Sequence, residues 1–232
     1  MEYLSVADAA QALQVSPRRV RQLLADRSLP GVRIGGRWLV SPAGVEHRSR
    51  SRPAAGRPLS SVSAWQVLAA LSGVEDELAR LSPPLRSRAR SRAAYLRRQL
   101  SDARLEQWRT LLRQRATLHQ FYGHPSVLAD IVSDRRVVRS GISAAHDHGA
   151  DLFVVGGAEG YGRPPDLAGI VEHYALNATV GAEANVWLRI AGSGADWLFH
   201  RRVAPAAVVA ADLMERAEAR DQAAGMKLAA DL

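Results

Sequence analysis

Tyr3-Leu-Ser-Val-Ala-Asp-Ala-Ala-Gln-Ala-Leu-Gln-Val-Ser-Pro-Arg-Arg-Val-Arg-Gln-Leu-Leu-Ala-Asp26, followed by Leu29-Pro-Gly31 and Val32-Arg-Ile-Gly-Gly-Arg-Trp-Leu-Val40, is the stretch that decides the reading of this chain. Ser5 is placed to cap a first helix in which Val6, Ala9, Ala10 and Leu13 recur at helical spacing, giving one apolar face over about three turns. Ser16-Pro17 restarts the chain as an N-cap with proline at the first helical position. The second helix carries Val20, Leu23 and Leu24 on one side. At about 100° per residue, Arg18 and Gln22 project nearly opposite that side, flanked by Arg19 and Arg21. A helix lying in a major groove needs such a face, because arginine reads guanine edges bidentately and glutamine can read adenine.

Beyond the second helix, Val32, Ile34, Trp38 and Val40 surround Gly35-Gly36, a pair suited to the positive dihedrals of a tight hairpin. The result is a small β-wing on which Arg33 and Arg37 are expected to hold phosphates. Candidate DNA-binding residues are therefore Ser16, Arg18, Arg19, Arg21, Gln22, Arg33 and Arg37. These residues together resemble the winged helix-turn-helix of the excisionase and MerR-like superfamily, and the resemblance covers about a sixth of the chain.

With 232 residues the chain is long enough for a proper core and for two compact units. It has no cysteine, which excludes disulfides, thiolate metal sites and a thiol nucleophile. Neither a long apolar run nor a signal-peptide pattern is present at Met-Glu-Tyr, so a soluble, cytoplasmic, nucleoid-associated prokaryotic protein without membrane contact is expected. The net charge of +8 is unevenly spread: residues 1–58 and 59–115 each carry +6, whereas residues 116–232 carry −4. Such asymmetry suits a front half that meets phosphate and a back half with another task. The scarcity of lysine beside arginine and alanine also fits a GC-rich genome.

Three segments are expected: a winged helix-turn-helix over 1–46, a basic linker over 47–58 and a larger unit over 59–232. The linker either spaces the head from the body or tracks phosphates. In the larger unit a helix starts near Ser63, with Trp65, Leu68, Ala69 and Leu71 on one face and Gly73 near its end. Two more helices are expected over 84–118, broken near Ser101-Asp102, with Leu85, Tyr95, Leu96, Leu100, Leu105, Trp108, Leu111, Leu112 and Leu118 as their apolar stripes. Ten arginines from Arg86 to Arg115 form either a second nucleic-acid or partner surface or the wet face of an amphipathic pair. Farther on, helices are expected over 127–132, 142–148, 166–174, 206–214 and 218–230. Strands are expected over 136–139 and 152–155, and residues 185–190 and 197–199 should pair across Gly192-Ser-Gly194. The fold class is α+β, mainly α.

Four groups could carry chemistry. Gly156-Gly-Ala-Glu-Gly-Tyr-Gly162 lacks the lysine of a phosphate-binding loop and has Pro164-Pro165 before the next helix, so it reads as a flexible turn. His146 and His148, two apart, would point to different sides of a helix and chelate poorly; they read as a helix end, and His119 and His124 offer no better site. Asp212, Glu215, Glu218 and Asp221 could bind magnesium, but interleaved Arg216 and Arg220 make a solvated, salt-bridged face the expectation. No catalytic signature, metal site or cofactor is therefore expected, and the chain is not read as an enzyme.

Ser140-Gly-Ile-Ser-Ala-Ala-His-Asp-His-Gly149, Asn185-Val-Trp-Leu-Arg189, Val203-Ala-Pro205, Ala211-Asp-Leu-Met214 and Ala219-Arg-Asp221 together resemble the C-terminal domain of AbiE-type antitoxins. That resemblance spans roughly residues 60–232. It implies a transcriptional regulator that binds its own promoter as a repressor, forms a possible homodimer and opposes a nucleotidyltransferase-like toxin. The excisionase-like head departs from the plainer winged domain of that family. Two alternatives stay open: an effector-sensing regulator without a toxin partner, marked by a deep apolar pocket, and a nuclease using the acidic C-terminal residues.

Overall fold

A computed structural model describes residues 3–13, 15–26, 29–42, 44–45, 57–98, 101–152, 156–179 and 181–232. The chain divides into two compact units, Met1–Ala54 and Ala55–Leu232. Most of the expected linker, residues 47–56, lies outside the described residues, as do Leu100 and residues 153–155 of the expected strand.

The first unit contains β1 (Leu4–Ser5), α1 (Val6–Ala12), α2 (Pro17–Ala25), β2 (Gly31–Ile34) and β3 (Arg37–Val40), with its three strands in the order β1-β3-β2. Ser5 forms a complete capping box: its hydroxyl accepts from the Asp8 amide, and the Asp8 carboxylate accepts from the Ser5 amide. Helix α1 is seven residues long, nearer two turns than the three expected. Leu13 takes the C-cap position and donates its amide to Ala9. Ala9, Ala10, Leu13, Val20, Leu23, Leu24, Leu29, Val40 and Val45 make the core of this small unit.

The second unit is a mixed sheet with helices on both faces. Its elements are α3 (Ser61–Leu71), α4 (Glu75–Ala79), α5 (Pro83–Arg97), α6 (Ser101–Leu112), β4 (Ala116–Tyr122), α7 (Leu128–Ser133), β5 (Val138–Arg139), β6 (Ala158–Gly162), α8 (Leu167–His173), β7 (Asn177–Ala178), β8 (Val186–Ala191), α9 (Ala206–Glu215) and α10 (Ala219–Ala230). The sheet order is β5-β6-β8-β4-β7, with β6 and β8 parallel and the other neighbours antiparallel. Cross-strand partners share a face, so Phe121, Val186 and Ala158 look one way, toward Leu128 and Ile131 of α7 and Ile170 of α8. Trp187, Arg189, Glu159 and Tyr161 look the other way, toward the larger core that includes Trp65 and Leu68 of α3 and Val208 and Val209 of α9.

Several expectations are corrected. The helix expected to reach residue 118 ends at Leu112, and Thr117, Phe121 and Tyr122 belong to strand β4, which suits β-branched and aromatic residues. Leu118 follows Leu111 by seven residues and so continues the helical stripe in the sequence, yet it lies in β4 and is 39% exposed. Leu85 and Tyr95 are exposed too, at 38% and 43%, so the buried stripe of α5 is Ala89, Ala93 and Leu96. The glycine-rich segment read as a flexible turn is in part β6, whose five residues are all buried. Gly160 is required there because a Cβ would meet the Val138 carbonyl oxygen at 2.7 Å. Asp196–His200 is a 3-10 helix rather than a strand, and β8 pairs with β4 and β6 instead. The helix expected over 142–148 resolves into two 3-10 turns, Gly141–Ser143 and His146–His148, closed by Gly149 at φ +76°. The architecture is α+β and mainly helical, as the pattern implied.

Candidate nucleic-acid interface

The head builds its exposed surface from its core outward. Ser16 turns the chain into α2 with its hydroxyl oxygen accepting from the Arg19 amide at 3.2 Å, and Pro17 follows at the first helical position. Among the described residues no acceptor takes its O–H. Val20, Leu23 and Leu24 are buried at 0 to 3% exposure, which fixes the rotation of the helix about its axis. Arg18, Arg19, Arg21 and Gln22 are consequently all exposed. Among the described residues Arg18 and Arg21 face no carboxylate. Arg19 Nη1 donates to Gln22 Oε1 at 2.8 Å, holding the amide so that its NH2 group points away from that contact.

The wing is a two-residue hairpin. Ile34 pairs with Arg37 across Gly35 and Gly36, whose φ values of +57° and +79° are those of a type I′ turn. Arg33 and Arg37 are exposed, and Arg33 Nε donates to the Gly36 carbonyl at 3.3 Å across the turn. All seven residues singled out from the sequence thus lie in one small unit, on α2, at its cap and on the hairpin. Among the described residues no carboxylate pairs with these guanidiniums, which are open to solvent, the condition under which they can exchange water for phosphate oxygens.

The body holds a contrasting constellation that the sequence reading missed. Asp212, expected on a solvated face, is 0% exposed. It accepts from Arg115 Nη2 and from the Tyr161 hydroxyl, both at 2.7 Å, and from the Ser140 hydroxyl. Arg115, 1% exposed, also donates to Glu215 Oε1 at 2.5 Å and to the Tyr161 oxygen at 2.9 Å. Arg189 reaches Glu159 Oε1 and Glu215 Oε2, each at 3.0 Å; its Nε lies 3.0 Å from Asp212 as an ion pair not aligned for a hydrogen bond. Arg216 joins Glu159 at 3.4 Å and Asp221 at 2.5 Å while stacking over the Trp187 ring.

Electrostatics explain how these charges tolerate burial. Burial opposes the charge on Arg115 and Arg189, but for Arg115 the carboxylate of Glu215, with Tyr161 and Asp212, and for Arg189 those of Asp212, Glu159 and Glu215, outweigh it and hold both guanidiniums above their ordinary range. Burial likewise raises the Glu159 carboxyl, with Arg189 opposing, and pushes the Tyr161 hydroxyl well up. Each buried carboxylate is matched by a guanidinium, a charge-compensated staple tying the 3-10 turn Arg113–Arg115, β6 and β8 to α9. Among the described residues no group of three or more His, Asp or Glu side chains could hold a metal ion, and His148 uses its Nε2 on the Ala204 carbonyl at 2.7 Å. The sequence signal that could have revealed the staple is the isolated Glu159 and Tyr161 in a strand of otherwise small residues.

Among the described residues no helix is long and apolar enough to cross a membrane. No curated protein and no solved structure matched the chain. Residues 3–51 match the helix-turn-helix domain family, and this match, on the unit that carries the exposed arginines, suggests a DNA-binding regulator.

Proposed function

We propose that this protein is a promoter-binding transcriptional repressor, with α2 as the recognition helix and the hairpin as a phosphate clamp. One observation carries the reading: Arg18, Arg21 and Gln22 stand exposed on the side of α2 away from buried Val20, Leu23 and Leu24. Arg18 and Gln22 stand on the exposed side of α2, where their donors and acceptors suit base edges, whereas Arg33 and Arg37 stand on the hairpin, where their guanidiniums suit phosphate. Ser16, Arg19 and Arg21 complete the surface by orienting the helix end and its glutamine and by adding charge.

The larger unit is proposed to act as the antitoxin of a toxin-antitoxin pair. Its support is the AbiE-like pattern, whose scattered polar residues Ser140, Arg189, Asp212 and Asp221 belong to one buried ion network and so behave as the signature of a single domain. Footprinting on DNA upstream of the chain's own reading frame tests the first part. A protected site is expected, and absence of protection across salt concentrations would overturn the regulator reading. Co-expression with the neighbouring reading frame tests the second part. Relief of a growth arrest is expected, and unrelieved arrest would remove the antitoxin role while leaving the repressor.

A further inference from the structure

Helix α5 of the body contains five arginines and no acidic residue. The structure separates them by role. Arg86 donates to the carbonyls of Ala79 and Leu81, Arg97 to that of Leu71, and Arg90 pairs with Glu75 at 2.6 Å. Arg88 and Arg92 have no such partner among the described residues, although Glu75 and Glu77 lie on the neighbouring helix. They are one turn apart on the same side of α5, Arg88 exposed and Arg92 half-buried where this side borders the buried Ala89, Ala93 and Leu96. Ser87 and Ser91, which are exposed, run between this pair and Arg90 along the crest opposite the core. On its other flank the crest borders an open concavity of about 300 Å³ lined by Pro83, Arg86, Ser87, Arg90 and Ser91.

We propose that this face of α5 is a second phosphate-binding surface, through which the body grips the backbone of duplex DNA. Two uncompensated guanidiniums a turn apart beside two hydroxyls offer the donors that phosphate oxygens take, and no base-reading geometry is needed. Charge complementarity selects the occupant: an arginine-only helix attracts a polyanion, and the polyanion that the helix-turn-helix unit brings within reach of the body is DNA. The inference rests on the DNA-binding reading of the head only for that delivery. It assigns to the body a share of affinity without sequence preference.

The test uses the full chain, a random-sequence DNA duplex and fluorescence anisotropy over a series of salt concentrations. Arg88→Ala with Arg92→Ala should lower the steepness of log affinity against log salt by about 1.8, because each lost phosphate contact removes about 0.9. Both side chains lie outside the core, and near-ultraviolet circular dichroism of the double variant should match the parent. Arg88→Lys with Arg92→Lys should restore most of the slope, since a point charge suffices for phosphate. An unchanged slope in the alanine variant overturns this proposal alone and turns the face over to an acidic protein partner. Failure of the unaltered chain to bind any duplex overturns it together with the proposed function.

Discussion

Arginine does opposite things in the two units. On the head, Arg18 and Arg21 are exposed and, among the described residues, face no carboxylate; in the body, Arg115 and Arg189 are 1% and 4% exposed and each touches at least two carboxylates. The residue type is the same, and the local sequence is arginine-rich around Arg115 as it is around Arg18. Only the fold separates them, because the partners of Arg115 lie about a hundred residues away, with Asp212 at a separation of 97. An unpaired guanidinium remains available to a ligand, whereas a paired and buried one is committed to the fold. Leaving such a group without its partner costs more than any exposed contact contributes.

The largest expected effect follows from breaking the body's network at its centre. Asp212→Asn keeps the shape but removes the charge that faces Arg115 and Arg189, and should destabilise the second unit by about 3 to 5 kcal/mol in urea unfolding. A loss below about 1 kcal/mol would mean that the cluster is not the staple described.

The next effect is pH-dependent. Asp134 accepts from Arg136 Nη2 at 2.6 Å, from the Arg136 amide at 2.8 Å and from the Tyr174 hydroxyl at 3.1 Å. The Arg136 side chain, acting against burial, holds the Asp134 carboxyl down to about 2. A carboxyl depressed by folding stabilises the native state above its unfolded pKa of about 4, and that contribution drains away as pH falls toward 2. Asp134→Asn should therefore cost on the order of 2 kcal/mol at neutral pH and almost nothing near pH 2. A cost independent of pH would assign the loss to packing instead.

How much of this was legible varied with the range of the interactions. The head was read almost whole, since Ser5, Ser16, Pro17 and the Gly35-Gly36 pair act on neighbours within a few residues. Its helices needed only that their apolar faces meet. The body was read in most of its helices and in strands β5 and β8, and missed in β4 and β6. Strand β4 hid behind a leucine that extended a helical stripe, and β6 hid behind glycines that pack closely rather than turn. Asp212, Glu215, Glu218 and Asp221 sat at spacings that suit salt bridges along a helix surface, yet Asp212 and Asp221 point inward and only Glu218 is well exposed, with its side chain at 60%. Nothing local to Asp212 distinguishes it, because the deciding guanidiniums of Arg115 and Arg189 arrive from the 3-10 turn Arg113–Arg115 and from β8.

A smaller effect sharpens the head's side of the comparison. Ser16→Ala removes the cap of α2 and should cost about 1 kcal/mol of stability in the first unit, with a matching loss of DNA affinity only insofar as the helix end frays. A substitution that leaves stability unchanged but abolishes binding would reveal the hydroxyl as a direct phosphate donor.

The central claim is that arginine on the exposed side of α2 reads DNA. Arg18→Ala in the full chain, titrated against the promoter fragment and its single-base variants and unfolded in parallel, tests it most directly. The predicted result is a binding loss of about 1 to 3 kcal/mol with relaxed preference at one base pair, and stability within about 0.5 kcal/mol of the parent. Unchanged affinity, or a loss equal across every base variant, would contradict it.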